Sequence, residues 1–230
     1  MRRETARRIA KCCKRLADLG LIAGIDGNVA VRVGPDRALV TPTGMLKADL
    51  SPDDIVEVDL TGRRIRGQRQ PSSELDMHLR ILRARDDVVA VVHAHPPVAT
   101  GFSVAGEAFD ACVLPELIFQ VGWVPVVPYG TPGTPELGER IEPFIGGHDA
   151  LILANHGAVT MGSSLDEAQI RMESLEHSAK ILFTARLLGR VNPLAPADVR
   201  RLEEMRRGRD LPGSYPGCPT PESPTSREDR

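Results

Sequence analysis

Two histidines, His93 and His95, stand one residue apart at the end of an apolar run at residues 88–92. A run of valines around one alanine reads as a buried strand. Side chains on a strand alternate faces, so both imidazoles point to the same side. Pro96 cannot donate to a sheet ladder and ends the strand. Two imidazoles side by side at a strand end suit a divalent metal, and they equally suit a pair of capping histidines bonded to backbone. A second apolar run, residues 150–154, leads into Asn155, His156 and Gly157, which puts a third histidine at a strand end. Three histidines with one open position is the layout of a catalytic zinc site. Glu74 follows Pro71, Ser72 and Ser73 where a helix should begin, and it fits either a fourth ligand or a general base.

The elements that must hold these residues are readable in order. Apolar residues Ile9, Cys12, Cys13, Leu16 and Leu19 recur at helical spacing, which predicts a helix over 5–21, stopped by Gly20. A glycine-rich turn at 24–28 follows, then strands at 29–33, 38–41 and 55–60 separated by Pro, Gly and Asp turns. Ser51 opens a short helix. Ser72 or Ser73 is expected to N-cap a helix with Glu74 in its first turn. A short helix over 97–104 comes after the histidine strand, and 114–117 has no clear assignment. A strand at 124–127 leads to a turn-rich loop and a helix over 135–145, with Thr134 as N-cap and Pro135 at the first position. Strands at 150–154 and 158–161 precede a long helix over 165–188 capped by Ser164, and a last helix spans 198–207. Strands interleaved with helices indicate an α/β protein, and the short turns between strands imply a largely antiparallel or mixed sheet.

One domain over 1–210 and a proline-rich, disordered tail over 211–230 is the expected division. A net charge of −2 supplies no field for a polyanion, and aromatics at 3% leave no base-stacking platform, so nucleic acid is not an expected partner. No apolar run approaches membrane-spanning length, and the N-terminus lacks the apolar core of a signal peptide. The four cysteines, Cys12, Cys13, Cys112 and Cys218, show no C-x-x-C spacing and read as reduced thiols of a cytoplasmic protein. His78 reads as a core histidine, His177 as a helix-surface one, and Lys47 as solvated.

The chain resembles the class II aldolase/adducin family, in its fuculose-1-phosphate aldolase-like branch. The resemblance is carried, in order, by residues 27–32, Thr41-Pro42-Thr43-Gly44, Pro71-Ser72-Ser73-Glu74, His93-Ala94-His95-Pro96, Pro128-Tyr129 with Gly133-Thr134, Asn155-His156-Gly157, and the long helix with Glu167 and Glu173. It implies a three-layer αβα sandwich around a central, largely antiparallel mixed sheet. It also implies one Zn2+ per subunit on His93, His95 and His156, with Glu74 as acid/base that binds the metal when the site is empty. Asn28, Thr43, Gly44, Ser72 and Ser73 would form a phosphate pocket, where turn amides, a helix N-terminus and serine hydroxyls favour a dianion. The ion would act as a Lewis acid on the carbonyl of a 2-keto sugar phosphate. The implied reaction is retro-aldol cleavage to dihydroxyacetone phosphate and an aldehyde, in a homotetramer with active sites at subunit interfaces.

Two departures stand out. Ile25 and Asp26 replace the hydroxyl-bearing and small residues usual before the Gly-Asn pair; Ile25 cannot donate to phosphate, and Asp26 is expected to bond turn amides. In the fuculose-phosphate aldolases a tyrosine from the neighbouring subunit protonates the leaving oxygen. The matching region here, Leu114-Pro115-Glu116, has none, so Glu116 is the candidate replacement, with Tyr215 of the tail as a second candidate. Trp123 is expected near a subunit contact. Related readings are a methylthioribulose-1-phosphate dehydratase, a ribulose-phosphate 4-epimerase, which usually carries aspartate at the place of Glu74, and a non-catalytic adducin-like scaffold.

Overall fold

The computed structural model describes residues 2–107, 109 and 112–208. Helix α1 (Arg2–Asp18) leads into strands β1 (Asn28–Gly34), β2 (Arg37–Val40), β3 (Val56–Asp59) and β4 (Arg64–Arg66). Helix α2 (Leu75–Ala84), strand β5 (Ala90–Ala94) and helices α3 (Pro97–Val104) and α4 (Pro115–Gln120) follow. Strand β6 (Val126–Val127), helix α5 (Pro135–Ile145), strands β7 (Ala150–Leu153) and β8 (Gly157–Gly162), and helices α6 (Leu165–Leu187) and α7 (Pro196–Arg207) complete the order.

The eight strands form one sheet in the order β4-β3-β2-β1-β5-β8-β7-β6. Every neighbouring pair is antiparallel except β6 with β7. Period-two alternation sorts each strand's residues to two faces. Val29, Val31, Ala90, Val92 and Ile152 face a core shared with α1, α3 and α6. Ala30, Val91, Leu151 and Val159 face a second core with α2 and α5. The result is the expected three-layer αβα sandwich.

Several expectations change in detail. The first helix begins and ends about three residues earlier than its periodicity suggests. Residues 115–117 belong to α4, with Leu114 as its N-cap and Pro115 in its first turn. The strand pairing of 64–66, an arginine-rich edge, carries no sequence signal. Helix α2 begins at Leu75, so Glu74 sits at the N-cap position instead of inside the first turn. Lys47 is 2% exposed, in a short 3-10 turn, not solvated. Cys12 and Cys13 are buried free thiols, but Cys112 is disulfide-bonded, against the expectation that all four are reduced. Tyr215 and Cys218 lie outside the described residues. No helix among those described is long and apolar enough to cross a membrane.

An ion cluster holds the far end of β7. Asp149, 1% exposed and next to β7, pairs with Arg85 at 3.0 Å, Arg171 at 3.1 Å and Arg206 at 2.9 Å. Asp87 and Glu167 supply two more carboxylates, so three guanidiniums face three acids. Burial raises the Asp149 carboxyl, and the three guanidiniums pull it back toward the ionised form.

Candidate metal centre

His93 comes from β5, His95 from the residue after it, and His156 from the turn between β7 and β8. Because β5 and β8 pair antiparallel, with Ala94 opposite Ala158, the end of β5 and the start of β8 lie together. Residue 155 adopts φ 54°, a left-handed conformation that asparagine tolerates, and this turns the chain so that His156 reaches the cluster. Gly157 is required beside it. A Cβ there would lie 2.5 Å from the Ala94 carbonyl and 2.6 Å from the His95 ring.

The three imidazoles offer ligand atoms that all lie within 4.8 Å of one another. His93 Nε2 is 3.1 Å from His95 Nε2 and 3.2 Å from Glu74 Oε2, and His156 Nε2 is 3.1 Å from Glu74 Oε1. Glu74 therefore bridges a histidine of β5 and one of the β7–β8 turn. His93 Nδ1 donates to the Ala158 carbonyl at 2.9 Å, which turns Nε2 toward the cluster. His95 Nδ1 faces Asp26 Oδ2 at 3.5 Å and is polarised the same way. The two Nε2 atoms, 3.1 Å apart, can hold either a proton or a cation between them. This donor set, with the His93 and His95 rings oriented by outer partners, fits a borderline-soft divalent cation.

The electrostatics favour ionised Glu74 and neutral His95 and His78. Burial opposes ionisation of Glu74, but His93, His156 and Asn28 outweigh it and hold the carboxyl well below the usual carboxylate range. Burial, with His93 and His156, pushes His95 down to about 4. His78 is pushed down to about 3, by burial first and then by His93.

Around the cluster the structure collects the residues singled out in the sequence. Asn28 Nδ2 donates to Glu74 Oε2 at 2.7 Å, and the His78 ring nitrogen Nε2 bonds Asn28 Oδ1. Ser72 Oγ accepts from the Glu74 amide at 3.2 Å. The turn at 41–44 is tied to the serine turn: Thr43 N donates to Gln70 O at 3.1 Å and Ser72 N to Thr41 O at 3.1 Å. Thr43, Gly44 and Ser73 are exposed there, whereas Ser72 and Asn28 are buried. Gly133 lies against Ser73. Asp26 faces His95, not the turn amides expected for it. Glu116 is exposed in the first turn of α4, which packs on α6 and α7, and no bond among the described residues joins it to the histidines. Trp123 stacks edge-on against His148, with ring centroids 5.5 Å apart.

Sequence reasoning gave no site role to three residues that the structure places here. His78 supports Asn28; its one signal was the i+4 spacing from Glu74. Glu176 accepts from Val98 N and Ala99 N at 3.1 and 3.0 Å, anchoring the start of α3 just past His95. Lys47 Nζ donates to Ile25 O at 2.7 Å and Met45 O at 3.1 Å.

Residues 7–183 match the model of the class II aldolase and adducin N-terminal domain. An L-fuculose phosphate aldolase of Methanococcus maripaludis is 39% identical over 75% of this chain and 93% of its own length. A 3-oxo-tetronate 4-phosphate decarboxylase of Pectobacterium atrosepticum is 36% identical over 71% of this chain and 77% of its own. Among solved structures, an L-fuculose 1-phosphate aldolase superposes with a TM-score of 0.82 at 30% identity, covering 89% of this chain and 96% of the other. The order of motifs, the sandwich and the three-histidine centre converge with these matches: the chain belongs to the class II aldolase/adducin family and is fuculose-1-phosphate aldolase-like.

Proposed function

We propose that the chain is a zinc-dependent lyase that cleaves a phosphorylated ketose, of the fuculose-1-phosphate or 5-deoxy- or methylthio-pentulose phosphate type, to dihydroxyacetone phosphate and an aldehyde. The observation that carries this reading is Glu74 bridging His93 and His156 beside His95. His93, His95 and His156 would hold the metal, and a bound divalent ion supplies Lewis-acid polarisation of the substrate carbonyl. Glu74 is the acid/base. On cleavage it returns a proton to the carbon next to the carbonyl, and in the reverse direction it removes that proton. Asn28 and Ser72 hold Glu74 in place. Thr43, Gly44, Ser72 and Ser73, with Asn28, bind the phosphate through turn amides and hydroxyls. Glu116 of a neighbouring subunit takes the proton of the hydroxyl that becomes the aldehyde oxygen on cleavage and returns it in the condensation direction, in a homotetramer whose sites lie between subunits. The folded unit is a single domain over 1–210, and the compartment is cytoplasmic.

The similarity to a decarboxylase favours one second reading, loss of CO2 from a 3-oxo-tetronate 4-phosphate. Both reactions develop the same carbanion beside a polarised carbonyl, but decarboxylation has no hydroxyl proton to remove. The absence of a tyrosine in the 114–116 region suits it for that reason. The test is to give zinc-loaded protein a panel of ketose 1-phosphates and a 3-oxo-tetronate 4-phosphate, and to assay dihydroxyacetone phosphate and CO2. Dihydroxyacetone phosphate from a ketose phosphate supports the aldolase. CO2 together with dihydroxyacetone phosphate from the 3-oxo-tetronate 4-phosphate, and none from any ketose phosphate, transfers the reading to decarboxylation. Neither product sinks both.

A further inference from the structure

Lysines are almost never fully buried unless paired, yet Lys47 is 2% exposed. Its two side-chain acceptors, the carbonyls of Ile25 and Met45, are neutral, and its backbone amide donates to Gly24 O at 3.1 Å. Among the described residues no carboxylate forms an ion pair with its ammonium. Burial lowers its pKa, and the nearby acids Asp26 and Glu74 push it back up. Cys13 gives it no counter-charge, because burial pushes that thiol up to about 12. A buried charge facing only neutral carbonyls is costly. A chain that needed only to tie two turns together would do so more cheaply with an uncharged side chain.

The two turns it ties are 24–28 and 41–47, which carry Asn28, Thr43 and Gly44. The Ile25 and Met45 carbonyl oxygens, which would repel an anion, are drawn onto the buried ammonium. Asp26 and Glu74 are acids at the same end of the sheet, so an arriving dianion meets negative charge unless a cation offsets it.

We propose that Lys47 is a positioning residue for the substrate phosphate: its buried ammonium shapes the two turns and supplies positive charge on the phosphate side of the site, away from the histidines. This rests on the phosphate pocket of the reading above and adds its charge partner. It also accounts for the departure at Ile25, since a buried charge replaces a lost hydroxyl donor.

The test is calorimetric binding of inorganic phosphate to the zinc-loaded full chain, as wild type, Lys47→Met and Lys47→Gln. Methionine keeps the volume without the charge, and glutamine keeps a hydrogen-bond donor without the charge. Both variants should bind phosphate more weakly, on the order of tenfold, the scale of one partly screened charge. The methionine variant should melt no lower than wild type, which a purely structural strap would not allow. Wild-type affinity in both variants overturns the inference and leaves the phosphate pocket standing. So does a methionine variant that melts lower yet binds as tightly. If the methionine variant does not fold, the glutamine variant decides by affinity alone. A wild type that binds no phosphate overturns the pocket and this inference together.

Discussion

The Asn28 side-chain amide donates to Glu74 Oε2 at 2.7 Å, and Asn28 is also the cross-strand partner of His93 in the β1–β5 ladder. The carboxylate at the centre of the site is thus fixed from the same ladder that presents the first histidine. His78, buried below, holds the other end of the Asn28 amide. Both ends of Asn28 are therefore engaged in orienting Glu74, whatever it also offers to a phosphate.

Asn28→Ala should lower kcat by about 10- to 100-fold, the scale of a lost outer-shell bond. The loss should fall mainly on kcat, because the proposed phosphate pocket keeps Thr43, Gly44 and the two serines. Steady-state kinetics on the active ketose phosphate checks this. A change confined to KM would show that Asn28 serves only the phosphate.

Metal removal should separate folding from chemistry. The sandwich has two apolar cores that need no ion, so chelated protein should stay folded but lose activity and melt earlier. Saturating zinc at 100 times its Kd would restore about 2.7 kcal/mol. His93→Ala should bind markedly less zinc by elemental analysis, and its melting point should no longer respond to the metal. Equal and negligible metal in wild type and variant would favour the scaffold reading.

Gly157→Ala should be poorly tolerated even though alanine is small. The added methyl would press on the Ala94 carbonyl and the His95 ring, neither of which can move without shifting β5 or the cluster. Overpacking of this kind costs about 1–3 kcal/mol. Urea unfolding measures the loss, and zinc affinity should fall alongside it. Unchanged stability and affinity would mean that the β8 start is looser than its contacts suggest.

Acid sensitivity should come partly from Asp59. Its carboxylate accepts from Thr61 Oγ1 at 2.6 Å and from the Thr61 and Arg63 amides at 3.0 Å each. The Thr61 hydroxyl, then the Arg63 bonds, hold it down at about 2. A depressed folded pKa gives stability that is complete above the unfolded value of about 3.9 and is lost as pH falls toward the folded one. Asp59→Asn should therefore be less stable than wild type at pH 6, with the difference shrinking between pH 4 and 2. A gap independent of pH would remove the carboxylate from the explanation.

Much of the site is readable from local signals. His93 and His95 share a face because a strand has period two, and Ser164 caps α6 as its sequence suggests, accepting from the Glu167 amide at 3.2 Å. Elements bounded by Pro and Gly, such as α5, end where those residues place them. What escapes local reading depends on contacts far apart in sequence. Lys47 looks like a surface lysine until the 24–28 turn closes over it. The region of α4 gives no periodic signal because its six residues are too few, and it packs on α6 and α7. Glu74 misses its predicted helical turn by one residue, since Ser72 bonds the Glu74 amide and delays the helix to Leu75.

The ion cluster at Asp149 bears on how this protein can change over generations. Its four main members come from the end of α2, the start of β7, α6 and α7. Removing one partner of a buried pair costs about 3–5 kcal/mol, while replacing a whole set by apolar residues can be neutral. Each single step away is therefore steep even where the destination is level. The four positions should be inherited together or exchanged together, and β7, which delivers the chain to His156, travels with them.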